Sequence, residues 1–476
     1  MDASTITSVG IDIGTSTTSM VVSRLAVANT ASGFTAPHVA ITGAEIVYRS
    51  EIYPTPQASG NRIDVAAVAS LIEREYERAG ITPADVQTGA VIITGESSRK
   101  ENAELVTESM SELAGEFVVA SAGPDLESII AAKGAGAQDY SREFACTVAN
   151  VDVGGGTSNI AVFHCGDLVS KACWDIGGRL VRVDADGRMT YVSPRIAAVA
   201  RSLGIELVVG ERADAGTIRR VTDRMAGLLA EALGLGPRTP LCDEIRTPEG
   251  SDLAAGEPID CVSFSGGVSE AIYRPHTDWF RYGDIGPILA ASLREGLIPR
   301  AAKLIEPRET IRATVVGAGS YTTTVSGSTI EFTDEGLFPM KNLPAFFATE
   351  DAERAALEGD GDKLARQAAW YLGESAASNL VFCINRVKRP GYATVCRLAD
   401  ALVRASSAIP EGEPLLVLVE DDFAKVLGQA LRRRLPDRRL ICIDSIQAIP
   451  GDYLDLGRPL MGGLAIPVVV KTLIFG

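Results

Sequence analysis

Asn150-Val151-Asp152-Val153-Gly154-Gly155-Gly156-Thr157-Ser158-Asn159 is the stretch on which the fold turns. The β-branched and apolar runs on either side, Thr147–Val153 and Ile160–His164, read as two strands around a turn. Three consecutive glycines there cost conformational entropy unless the backbone must come close to something. Backbone N–H groups in such a loop, with the hydroxyl of Thr157, suit a phosphate or an attacking water. Asp152 at the strand end is the carboxylate that a magnesium site draws on. The same theme stands roughly 140 residues earlier, in Gly10-Ile11-Asp12-Ile13-Gly14-Thr15-Ser16-Thr17-Thr18, between strands Val9–Ile13 and Ser19–Leu25. There Gly14 permits the sharp turn, and Thr15, Ser16 and Thr17 offer N–H and O–H donors to the β- and γ-phosphates. Asp12 matches Asp152. A single Gly/Thr hairpin means little. Two at this spacing predict a duplicated domain with one nucleotide between its halves.

The elements around the loops alternate. Val65–Ala79 has helical spacing and a stop at Gly80. Ser97–Leu113 and Asp125–Lys133 read as helices, and Gly89–Thr94 and Phe117–Ala120 as strands. Beyond the second loop, a strand Cys261–Phe264 runs into Ser265-Gly266-Gly267. Pro299–Leu304 reads as helical, and Thr314–Val316 as a strand meeting Gly317-Ala318-Gly319. Thr329–Phe332 is assigned as a last strand of the duplicated fold. The tail alternates again: strand Leu380–Asn385, helix Ala393–Ser406, strand Leu415–Glu420, helix Asp421–Leu435, strand Leu440–Asp444. The expected fold class is therefore α/β, with units at residues 1–149, 150–330 and 331–476.

Composition removes several functional classes. The 476 residues carry 45 basic and 61 acidic side chains, a net charge of −16, which argues against nucleic acid or an anionic membrane as partner. No apolar run reaches the ~18 residues that span a bilayer, and no signal peptide opens the chain, so a cytoplasmic protein is expected. Eight cysteines without a C-x-x-C pair read as reduced, mostly buried thiols. His38, His164 and His276 lie far apart and suggest no metal site.

The loops in this order resemble the actin/Hsp70/sugar-kinase superfamily, whose ribonuclease H-like domains close around ATP. The resemblance covers five segments: the two phosphate loops, a connecting helix at Pro124–Gly136, an adenosine loop at Ser263–Val268 containing Gly266 and Gly267, and a second connecting segment at Val316–Ser320 containing Gly317. It implies ATP and Mg²⁺ as cofactors, nucleotide contacts at these glycines, and a water-orienting acid at Glu127, with Asp125 as the fallback. Chaperone-like members carry an Asp two residues after the Thr of the second loop. Asn159 stands here instead, and an amide orients water without taking its proton, which implies slow hydrolysis.

A narrower resemblance spans almost the whole chain. Segments such as Ile93–Ala103, Ala122–Ala137, Tyr282–Pro287 and Gly451–Phe475 resemble the reactivating factors of ethanolamine ammonia-lyase. That resemblance implies ATP-driven release of damaged or cyano-cobalamin from the lyase, so that intact adenosylcobalamin can enter. A metabolite kinase, an exopolyphosphatase or an actin-like filament protein of the same superfamily are the competing readings. Ser375–Gly476 is the expected surface for the lyase or for self-association, with Arg432 and Arg433 as test positions. The sequence leaves self-association and residence in a microcompartment open.

Overall fold

Strand alternation decides which side of each sheet is oily and which is polar. In the computed structural model, which describes residues 4–14, 17–31, 39–58, 62–93, 124–248, 251–253, 258–321, 323–326, 329–374 and 377–472, β1 (Ser4–Ile13) and β2 (Thr17–Asn29) form the first hairpin. Thr15, Ser16, the predicted helix Ser97–Leu113 and the predicted strand Phe117–Ala120 lie outside the described residues. The next strands are β3 (Val39–Arg49), the short β4 (Tyr53–Pro54) beside β2, and β5 (Thr88–Ile93). β1 is antiparallel to β2 and parallel to β5, giving the order β3-β2-β1-β5. Val9, Ile11, Ile13, Val91 and Ile93 form one face and pack on Val68, Leu71 and Ile72 of the helix Val65–Ala79. That helix starts where Asp64 accepts a bond from the Ala67 N–H at 3.0 Å and stops at Gly80, whose φ is 68°.

The second sheet repeats the plan. β6 (Thr147–Val153) and β7 (Ser158–His164) form its hairpin, and β8 (Asp167–Trp174) extends it. β9 (Val181–Val183) and β10 (Met189–Val192) make a separate ribbon. β11 (Cys261–Ser265) lies parallel to β6, and β12 (Lys303–Leu304) lies parallel to β11. The order β12-β11-β6-β7-β8 places the hairpin and its parallel neighbour as in the first sheet. Val151, Val153, Ile160, Trp174 and Phe264 enter the largest core, shared with the helix Ala215–Ala232. The opposite face carries Asn150, Asp152, Asn159, Ser263 and Ser265, all buried.

Two helices fill the layer between these sheets. The first, Pro124–Gly134, sets Ile130 against Ala90 and Ile92 of one sheet and Ala132 against Val148 and Ala161 of the other. The second is Ala313–Tyr321. It corrects the expected strand at Thr314–Val316: a short β-branched run has no period of its own, and here burial on several sides makes it helical. A Cβ on Gly134 would overlap the Ala313 carbonyl oxygen, and one on Gly317 the Ile130 carbonyl oxygen. The crossing of the two helices therefore requires glycine on both.

The remaining chain builds a third sheet, from β13 (Thr323–Ser326), β14 (Glu331–Phe332), β15 (Met340–Phe347), β16 (Val381–Ile384), β17 (Leu415–Val419), β18 (Leu440–Asp444), β19 (Asp452–Leu456) and β20 (Ile466–Thr472), in the order β13-β20-β19-β15-β16-β17-β18-β14. β15 to β18 are parallel and consecutive. Right-handed crossovers in that order put the intervening helices on one face, where Leu398, Leu402, Leu427 and Leu431 cover Phe346, Phe382 and Val417. β14 pairs with β18, so Thr329–Phe332 belongs to this sheet and not to the duplicated fold, a correction of the assignment above. The predicted helix at Asp421–Leu435 is shorter, Ala424–Arg434, and Pro299–Leu304 divides into a helical turn, Ile298–Ala301, and β12. Val469 of β20 packs with Ala90 and Ile92, which fastens the tail to the first sheet. No described helix is long and apolar enough to cross a membrane.

Candidate functional site

The two hairpins are closed by the same backbone bond. The Gly14 N–H donates to the Thr17 carbonyl at 2.8 Å, and the Gly154 N–H to the Thr157 carbonyl at 2.9 Å. Asp12 sits opposite Ser19 in the first ladder, and Asp152 opposite Asn159 in the second. Asp12 shares a face with Ser8 and Gly10, against which Ala313–Tyr321 packs. Asp152 shares a face with Asn159 and Ser265, the face that Pro124–Gly134 covers. Each aspartate thus looks from the carboxyl end of its strand into the helix layer between the sheets. Glu127, 9% exposed, lies in the first turn of Pro124–Gly134. That helix runs antiparallel to β6, with Ala132 against Val148 near the start of the strand, so its first turn lies toward the loop end.

A polar relay anchors Asp152. Ser263 Oγ donates to Asn150 Oδ1 at 2.8 Å, Asn150 Nδ2 to Ser265 Oγ at 2.9 Å, and Ser265 Oγ to Asp152 Oδ2 at 2.6 Å. Burial pushes the Asp152 carboxyl up to about 6, with the Ser265 hydroxyl pulling it back in part. Beside it, Asn159 is 2% exposed and its Oδ1 has no hydrogen-bond partner among the described residues. A buried orphan acceptor and a carboxylate held up by desolvation describe a site short of positive charge and donors. A hydrated divalent cation meets both needs, so the residues present fit magnesium.

Gly266, at φ 85°, closes the site from β11: a Cβ there would come 2.6 Å from the Val153 carbonyl oxygen and 2.9 Å from Asp152 Oδ1. Gly267 and Gly156 face open space. Gly317, expected to meet a nucleotide, instead spends its close approach on Ile130 in the helix crossing. Asp125, the fallback acid, is already engaged by the Ser251 hydroxyl at 2.6 Å and by Lys171 Nζ at 3.1 Å.

Two further segments reach the second loop without having been singled out for it. The Gly178 N–H donates to the Gly154 carbonyl at 3.0 Å, and the Arg179 N–H to the Gly155 carbonyl at 2.7 Å. Asp284 is buried at the start of the helix Gly286–Glu295, with its Oδ1 accepting from the Gly286 N–H at 2.8 Å and Arg179 Nε 3.4 Å from its Oδ2. Burial raises the Asp284 carboxyl, against the pull of the Gly286 N–H and of Arg179. The adjacent glycines Gly177-Gly178, following a strand as the three glycines do, were the available signal.

Two sheets of one order, two matching Asp-x-Gly turns and a pair of crossing helices between them define the two-domain fold of the actin-like ATPases. Within that class the chain belongs to the family described as "Ethanolamine utilisation protein EutA", which matches residues 4–476. It is 38% identical over 481 residues to "Ethanolamine ammonia-lyase reactivase EutA" of Salmonella typhimurium, covering all of both chains. It is also 38% identical, again over all of both chains, to the protein of the same name from Escherichia coli. Among solved structures, a Ppx/GppA family member of Aquifex aeolicus is 13% identical with a TM-score of 0.40, over 66% of this chain and 97% of the other. The ethanolamine utilization protein EutJ of Carboxydothermus hydrogenoformans is 14% identical with a TM-score of 0.31, over 66% of this chain and 89% of the other.

Proposed function

We propose that the chain is an ATP-driven reactivase for ethanolamine ammonia-lyase, releasing damaged or cyano-cobalamin so that adenosylcobalamin can bind. The observation that carries the ATP-driven part is the buried pairing of Asp152 with the orphan Asn159 Oδ1 beside a triglycine turn. The name shared by both full-length relatives supports the lyase as partner. In this reading the phosphates sit against the backbone N–H groups at Gly14–Thr17 and Gly154–Thr157, and the adenosine against Gly266 and Gly267. Asp12 and Asp152 hold the magnesium ion's water shell, and the ion neutralises phosphate charge. Glu127 and Thr157 orient the attacking water, while Asn159 holds a water it cannot deprotonate. Turnover is then slow, as suits a switch. A kinase of this class needs a general base for its acceptor, and the amide at Asn159 cannot serve as one.

The direct test is reactivation. Lyase inhibited with cyanocobalamin is incubated with the protein, Mg-ATP and adenosylcobalamin, and deamination is measured. Activity returns with ATP and not without it. Absence of recovery with active, ATP-hydrolysing protein rejects the lyase as partner.

A second expectation isolates Glu127. Glu127→Gln leaves nucleotide affinity nearly unchanged and slows hydrolysis by roughly 10- to 100-fold, because the amide fills the space but orients the water less well. If affinity falls while the hydrolysis rate of bound ATP holds, Glu127 is structural.

In the same reading the helix Ala424–Arg434 of the tail serves as the docking face. Arg432 is paired with Glu331 at 2.6 Å, so reversing it would disturb the sheet itself. Arg433 is exposed and gives the cleaner test. Arg433→Glu is expected to keep ATP affinity and lose reactivation. Full reactivation would remove this helix as the docking face.

A further inference from the structure

The C-terminal sheet has a crevice of its own, remote in sequence from the two loops. A cavity of about 210 Å³ opens at the carboxyl ends of β15, β16 and β17. It adjoins a second cavity of about 580 Å³, because Glu420 and Gln447 line both. In parallel α/β sheets the crevice beyond the carboxyl ends of the strands is where ligands sit, since the loops there are free of the core. The two halves differ in chemistry. The inner half is apolar, with Phe347, Ile384, Leu418 and Ile446 against the segment ending at Ile449, which is 61% exposed. The outer half carries Lys388, Arg389 and Ser445, together with Asp421, whose carboxylate is taken up by the Arg389 backbone N–H.

The charges on this rim are unspent. Neither Lys388 nor Arg389 forms an ion pair with any described residue, and the Glu420 side chain accepts no hydrogen bond from one. The rim is also held in place. The Arg389 N–H donates to Asp421 Oδ2 at 2.6 Å, and Ser445 Oγ lies 3.2 Å from Asp422 Oδ1. Both residues have left-handed backbones, at φ 48° and 62°, a conformation seldom adopted without such support. Beneath them Asp444 is fully buried and bonded to the Thr329 N–H at 2.9 Å and to the Thr329 hydroxyl, which fixes the end of β18.

We propose that this crevice is a second ligand site, built for a small anion of nucleoside-monophosphate chemistry. A flat apolar ring fits the Phe347 and Ile446 half, where stacking on a phenyl ring adds to burial. Hydroxyls between ring and anion meet Glu420 and Gln447, as an acidic side chain at a strand end meets a ribose. The phosphate meets Lys388 and Arg389. A purely cationic ligand would leave those two unanswered, and a purely apolar one would leave all the polar rim groups so. The site shares no residue with the cleft between the loops, and the inference stands whether or not that cleft drives reactivation.

Photolabelling resolves it by position. The full-length protein is irradiated with azido-substituted purine and pyrimidine nucleoside monophosphates, and labelled peptides are mapped by mass spectrometry. Saturable label is expected within residues 381–389 or 440–450. In Lys388→Glu that label weakens by about tenfold or more, while label near residues 263–268 is unchanged. Circular dichroism and the thermal midpoint confirm that the variant is folded. Label confined to the cleft peptides, crevice label indifferent to Lys388→Glu in the folded variant, or no saturable label with any probe overturns the proposal.

Discussion

Asp152→Asn abolishes magnesium-dependent hydrolysis and, at about pH 7, makes the nucleotide-free protein more stable. On the proposed function the first effect follows from removing a carboxylate that would face the metal's water shell, and a fall of at least about a hundredfold is expected. The second follows from linkage. The folded carboxyl lies at about 6 against 3.8 when unperturbed, because burial penalises its charged form. A group raised in the folded state contributes its full stability below the unfolded value and loses it as pH climbs through the folded one. Above about pH 6 the ionised Asp152 therefore costs the unliganded protein on the order of 3 kcal/mol. Asparagine keeps an oxygen for the Ser265 hydroxyl and has no charge to desolvate. The gain in melting temperature should be largest above about pH 6.5, should shrink as pH falls toward 4, and should vanish only near about pH 3, where wild-type Asp152 is protonated in both states. Asp444, raised by burial to about 6, stays in the variant, so part of the wild-type fall in stability between pH 4 and 6 persists. Thermal melts of both proteins across that range, with hydrolysis measured alongside, check the claim. A variant that hydrolyses normally, or one less stable at neutral pH, removes Asp152 from the role given to it.

The trade of stability for charge explains why the site was partly readable from sequence. A triglycine between β-branched runs is unfavourable unless something must come close, so Gly154–Gly156 stood out, and Asp152 with it. Asp12 and Gly14 then became legible by repetition. The Gly177-Gly178 pair obeys the same logic, yet it contacts the loop only through backbone bonds, which leave no pattern in side chains. Thr314–Val316 misled for a different reason. Strand and buried helix look alike over so short an apolar run, and only Gly317 and Gly319 hinted at a helix that must touch other backbone. Thr329–Phe332 has strand-like residues, but its partner is β18, more than a hundred positions on, and pairing at that range is written in no local signal.

Gly317→Ala is expected to be among the most destabilising single-methyl changes at the described glycines. Its Cβ would overlap the Ile130 carbonyl oxygen, and backbone cannot rotate away as a side chain can. Gly134 meets the Ala313 carbonyl in the same way, and Gly10 of β1 meets that of Val315. Three glycines thus set how closely Pro124–Gly134, Ala313–Tyr321 and the first sheet approach. Relief requires the helices to separate, which loosens the contacts of Ile130 and Ala318 with Ala90 and Ile92. Overpacking of this kind commonly costs 1–3 kcal/mol, and a clash with backbone belongs at or above the top of that range, so a loss of about 3 kcal/mol or more is expected. Gly373→Ala is the control: it too lies in a helix, but a Cβ there meets nothing within 4 Å, and alanine should be neutral or slightly stabilising. Urea midpoints of the two variants give the comparison. The same crossing joins the helix that carries Glu127 to the helix that lies against β1, so it is a place where a change at one loop can be felt at the other. A Gly317→Ala protein that does fold should therefore bind ATP more weakly at both loops together. If its midpoint matches that of Gly373→Ala, the helices are not in contact through these glycines, and neither the packing nor the coupling argued from it holds.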